Sequence, residues 1–138
     1  MNSAMEYRRV EINTSDKVRI VSLLYDGAIS FMRMALQGIE DGDIVSKGLY
    51  IGKATSIVGE LSSSLDMETG GEISPNLKRL YDFILDRLFH ANMRNDRDAM
   101  DVAIKVLDVL RDAWKDIEKN QHCRPAVEGR PLGMGVRV

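Results

Sequence analysis

Apolar residues at alternating steps of three and four dominate four stretches of this chain and narrow what it can fold into. They are Val21, Tyr25, Ala28, Met32, Ala35 and Ile39 in the first, and Tyr50, Ala54, Ile57 and Leu61 in the second. The third has Leu77, Tyr81, Ile84, Leu88 and Ala91, and the fourth Ala103, Leu107, Leu110, Trp114 and Ile117. This is the seam spacing of helices that pack at shallow angles. Strand-type alternation is nearly absent, and the chain has 3 prolines.

The residues between the stretches agree. Asp16 is placed to cap the first helix, Gly42 to end it and Asp43 to open the second. Gly70-Gly71 forms a break, Ser74-Pro75 reads as an N-cap followed by proline, and Asp96 is placed to cap the fourth helix within the polar run Asn92 to Asp98. Short connections force neighbouring helices to run antiparallel. The expected fold is all-α, an antiparallel up-down-up-down four-helix bundle with helices of roughly 20–25 residues, or ~30–37 Å.

A chain of 138 residues suits one domain, and 44% hydrophobic with 29% charged residues is enough to bury a core. The expected domain spans residues 1–119. It includes an extended N-terminal segment over 1–15, where Met5 and Tyr7, then Val10 and Ile12, stand two apart. Residues 120–138 contain Pro125, Gly129, Pro131, Gly133 and Gly135, lack helical periodicity and read as a flexible tail.

A net charge of -2 offers no basic excess for phosphates, so no nucleic-acid partner is expected. The single cysteine, Cys123, forms neither an internal disulfide nor a cysteine metal cage and suits a reducing compartment. Apolar runs fall short of the ~20 residues of a membrane span. The first nine residues carry no signal-peptide core. Membrane insertion is therefore not expected, and the expected location is cytoplasmic.

Catalytic chemistry finds little support. A di-iron bundle needs Glu-x-x-His pairs, but Arg87 precedes His90 and Lys119 precedes His122 at that spacing. A histidine phosphotransfer bundle needs an exposed histidine with a basic residue one turn on. His90 and Arg94 satisfy that, but the run His90-Ala91-Asn92-Met93-Arg94 lacks the usual pattern. Gly70-Gly71 is no phosphate loop, and the acids around it lack EF-hand spacing. No cofactor or metal is expected.

The more informative feature is surplus apolar and small surface. Apart from the polar line Arg19, Ser22, Asp26, Ser30, Arg33, Gln37 and Glu40, the first helix is almost wholly apolar, which predicts enclosure on most sides. The fourth has a second line, Val102, Val106, Val109 and Ala113; the second has Ile44, Ile51, Val58 and Leu65. Beside these runs Gly48, Gly52, Thr55, Gly59 and Ser62. Each glycine costs a helix about 1 kcal/mol relative to alanine. Either a neighbouring helix fills this trough, or a foreign chain docks there. On the second reading the candidate contacts are Ile51, Thr55, Val58, Gly59, Leu65, Val102 and Val109.

Several short motifs occur in a fixed order: Asn13-Thr14, Leu24-Tyr25-Asp26-Gly27-Ala28-Ile29, Ser64-Leu65-Asp66, Gly70-Gly71-Glu72-Ile73, Asn76-Leu77, Leu80-Tyr81-Asp82 and Leu110-Arg111-Asp112-Ala113-Trp114. Over roughly residues 6–119 the chain resembles the FliS-type flagellar secretion chaperones. The resemblance implies a non-enzymatic four-helix bundle that binds the disordered C-terminal region of flagellin, prevents its polymerisation in the cytoplasm and delivers it to the flagellar export gate. It also implies that the segment around Tyr7 regulates or completes the binding surface. Lys17 stands where the family often has proline. The alternatives are a generic helical adaptor and phosphotransfer through His90.

Overall fold

The computed structural model describes residues 14–123. Four helices follow one another: α1 (Thr14–Asp41), α2 (Ile44–Ser63), α3 (Ile73–Arg94) and α4 (Arg97–Cys123). Each packs on two others in the ring α1–α2–α3–α4–α1, so α1 faces α3 across the centre. This is the expected four-helix bundle. The proposed N-terminal segment and most of the proposed tail lie outside the described residues. Residues 120–123, assigned to the tail by sequence, continue α4.

The turns follow from particular residues. Gly42 takes φ 71° in the two-residue link between α1 and α2, a conformation that penalises any Cβ. Asp43 caps α2 by accepting from the Ser46 amide at 3.1 Å. That bond, and the Ser46 hydroxyl, hold its carboxyl below the usual range. At Gly38 a Cβ would stand 2.9 Å from the Lys47 backbone nitrogen, so the α1–α2 corner requires glycine. Asp96 caps α4 through the Ala99 amide at 3.0 Å.

Two caps differ from expectation. Asp16 lies within α1, whose described part starts at Thr14. The N-cap of α3 is Glu72, without a side-chain cap bond, and Ser74 is a buried helical residue. Ser74 turns inward because Gly70 folds against it; a Cβ on Gly70 would collide with its hydroxyl.

The core is where four seams meet. The expected seam residues of α3 are all buried, as are those of α1 except half-buried Ile39. On α2 the seam is Lys47, Ile51, Ala54, Val58 and Leu61, rotated from the expected Tyr50-to-Leu61 line. Tyr50 and Ile57 instead form its α1 flank: Tyr50 stacks on Phe31 at 5.9 Å, and Ile57 lies against Gly27. Lys47 is a buried cation. Its ammonium donates to the Asn92 carbonyl at 2.9 Å and to Asn95 Oδ1 at 2.7 Å, at the electronegative end of α3.

At the centre the Trp114 indole donates to the Tyr25 hydroxyl at 3.0 Å, and the Tyr25 and Tyr81 hydroxyls share a hydrogen bond of 2.5 Å. One polar chain thus joins α4, α1 and α3. Burial pushes both phenols up, Tyr81 to about 12. A raised phenol contributes stability that is fully present below its unfolded value near 10 and lost as pH rises through about 12. Tyr81→Phe should cost about 1–2 kcal/mol in urea unfolding at pH 7. It should also weaken the loss of stability that wild type shows between pH 10 and 12.

Candidate functional site

The seams are not edged alike. Between α1 and α4 run ion pairs: Arg33 with Asp108 at 3.2 Å, Lys115 with Asp26 at 3.1 Å, and Arg97 with Glu40 at 2.8 Å. Arg111 adds bonds to Asp26 and Asp108. Such exposed pairs are individually weak, at most about 1 kcal/mol each. They nevertheless fix the flank of α4 that faces α1, so Val102, Val106, Val109 and Ala113 lie on its other side and outer face.

Most of that line is accessible, with Val106 half-buried against the core. Val109 is 69% and Val102 38% exposed, and Ala113 is exposed. In an antiparallel ring of right-handed helices, the flank of α3 turned toward α4 carries Ile73, Leu80 and Phe83. These are also exposed, between 38 and 42%. The α3–α4 side therefore presents an apolar strip with two walls. Sequence analysis found the α4 wall and missed the α3 wall. Its signal was present, since Ile73, Leu80 and Phe83 stand seven and three apart beside the seam. Arg87 leans over the Phe83 ring at 5.7 Å, and its bond to Asp86 holds that carboxyl below the usual range.

The small-residue line of α2 is open. Cβ atoms built on Gly48, Gly52 and Gly59 would meet nothing within 4 Å. No described neighbouring helix fills the trough, which corrects that alternative. The physical reason is rotation: α1 packs on the Tyr50–Ile57 flank, and the glycines lie across the core seam, toward α3. Thr55 is exposed beside them, and Gly59 is half-exposed.

The companion line of α2 does not share this openness. Ile51 and Val58, and Leu65 just past the end of α2, are buried with the core and are not outer contacts in this conformation. Only Ile44, the first residue of α2, is exposed on that line, at 70%. The described residues thus separate the candidates into accessible Thr55, Gly59, Val102 and Val109 and interior Ile51, Val58 and Leu65. Tyr7 lies outside them. Helix α1 is less enclosed than its composition predicts: Ile20, Leu23 and Met34 are exposed, Leu23 at 55%.

His90 sits at the end of α3 with Nδ1 donating to the Asp86 carbonyl at 3.1 Å, and its ring packs edge-on to Phe89. Among the described residues no group of three His, Cys, Asp or Glu side chains is placed to hold a metal ion, and no helix is long and apolar enough to cross a membrane.

Comparison with known proteins adds an independent line. The family model described as Flagellar protein FliS matches residues 1–121. The flagellar secretion chaperone FliS of Salmonella typhimurium is 41% identical over 100 residues, covering 72% of this chain and 74% of the relative. That of Vibrio cholerae is 33% identical over 130 residues, covering 91% and 96%. The Bacillus subtilis protein of the same name is 32% identical over 114 residues, covering 83% and 84%.

The open glycines generate a test. With nothing to collide with, Gly52→Ala and Gly59→Ala should each raise unfolding stability, by up to about 1 kcal/mol. Val58→Asp should cost several kcal/mol by placing a carboxylate in the core, while Val109→Asp should leave the melt nearly unchanged. Thermal melts of the four variants check all of this.

Proposed function

The chain belongs to the FliS family of flagellar secretion chaperones, and on that premise we propose that its outer helix faces bind the disordered C-terminal region of flagellin. Binding in the cytoplasm keeps flagellin from polymerising and presents it to the flagellar export gate. The family's role is non-catalytic, and the proposed site works by burial alone.

The observation that carries this reading is the open glycine line on α2, backed by a fully formed core. A helix that gives up about 1 kcal/mol per glycine without using the space itself leaves a channel for another backbone. The α3–α4 strip supplies apolar area, at roughly 25 cal/mol per Å² buried before ordering costs. A disordered client laid across two such tracks folds as it binds and loses chain entropy in doing so. For residues 1–13, with Tyr7 among them, two roles stay open: direct contact with the client or the export gate, and, as we propose, cover over part of the α2 trough when no client is bound. A short tether gives them an effective concentration on the order of millimolar.

Calorimetry with a peptide from the C-terminal end of the host's flagellin tests the reading. The heat-capacity change should be clearly negative and the entropy unfavourable; a heat-capacity change near zero contradicts it. Val109→Asp should weaken binding about tenfold or more while the protein stays folded. Deleting residues 1–13 should tighten peptide binding, and an affinity that falls or stays the same would remove the masking role. A protein that accepts phosphate and loses that ability in His90→Gln would favour phosphotransfer instead.

A further inference from the structure

The α3–α4 strip lies beside the point where the chain leaves the described bundle. Helix α4 ends at Cys123, and the flank of Val102, Val106, Val109 and Ala113 runs back from there. Residues 124–138 follow. Their sequence ends in Leu132, Met134, Val136 and Val138, spaced by Gly133, Gly135 and Arg137. The helical period used for the rest of the chain passes over this alternation, which is the period of an extended segment with one apolar edge. Pro125 and Pro131 each lack an amide donor and oppose continuation of α4 through this stretch.

We propose that residues 124–138 turn back at Pro125 and lie along the α3–α4 strip as its resident occupant, with Leu132, Met134, Val136 and Val138 set against Val102, Val109 and Phe83. Reach permits it. Val109 stands ~21 Å along α4 from Cys123 at 1.5 Å per residue, whereas an extended segment at ~3.3 Å per residue carries residues 124–138 as far as ~50 Å. Charge agrees with the path. Asp116 is exposed between Val109 and Cys123, beside Asp112, which Arg111 holds at 3.4 Å, and before exposed Lys119. The segment passing over them carries Arg124, Arg130 and Arg137 against Glu128 alone. The tether also makes weak contacts sufficient, because it supplies an effective concentration on the order of millimolar. Exposed apolar strips invite self-association when uncovered.

A client that uses this strip displaces the segment from it; neither the proposal nor its test depends on which client that is. In the full chain with Cys123→Ser, Val136→Cys is paired either with Val109→Cys on the strip or with Ile20→Cys on α1. Both partner positions are exposed, so both variants should fold, which circular dichroism verifies. Under mild oxidation at low protein concentration, the Val136→Cys/Val109→Cys protein should form its intramolecular disulfide at least tenfold faster than the Val136→Cys/Ile20→Cys protein. Lengthening the tether should not change the preference. Equal rates, a faster reaction with Ile20→Cys, or a mainly intermolecular product would overturn the proposal.

Discussion

Everything else in the bundle is arranged around the hydrogen-bonded chain Trp114–Tyr25–Tyr81. It crosses the bundle axis, so it sets the depth and rotation of α1, α3 and α4 together. Apolar packing alone tolerates sliding by a turn; a buried hydroxyl pair does not, because each misplaced group would lose its partner. The three residues come from the motifs Leu24-Tyr25-Asp26, Leu80-Tyr81-Asp82 and Asp112-Ala113-Trp114, which carry the family resemblance. Asp26 extends the arrangement outward, since Lys115 and Arg111 of α4 bind it one residue from Tyr25.

With three helices locked from within, the outside is free to do other work. Helix α2 takes no part in the central chain. It is held by Lys47 at the end of α3 and by Phe31 and Gly27 of α1. Its far flank can therefore be made of glycine without loosening the core, and α3 and α4 can turn Phe83 and Val109 outward, away from the core. Fold and docking surface occupy different faces of the same helices. On the proposed function, a client is gained and lost without melting the bundle.

The sequence showed α3 most clearly, because charged residues flank a single apolar line there. On α2 it was ambiguous: Tyr50–Ile57, Ile51–Val58 and the glycines are three adjacent lines, and periodicity cannot say which faces inward. The choice is made by Phe31 and Gly27 across the α1–α2 corner, contacts between residues distant in the chain. Periodicity therefore offers Ile51 and Val58 as docking contacts on one of two readings, and the structure buries both with the core. Buried Lys47 was hidden for a similar reason, since its partners are a carbonyl and an amide at the end of α3. The α4 line was legible, because a helix with two adjoining apolar lines cannot bury both. Its opposite wall at Ile73, Leu80 and Phe83 was passed over because α3 already had a complete seam.

The central claim is that the glycine line of α2 is space kept open for a client backbone. Filling it with Gly52→Leu tests that claim most directly, with the flagellin C-terminal peptide titrated calorimetrically into wild type and variant and melts recorded alongside. The account predicts a melt at or above that of wild type and an affinity at least tenfold weaker. An unchanged affinity in a folded variant would contradict it.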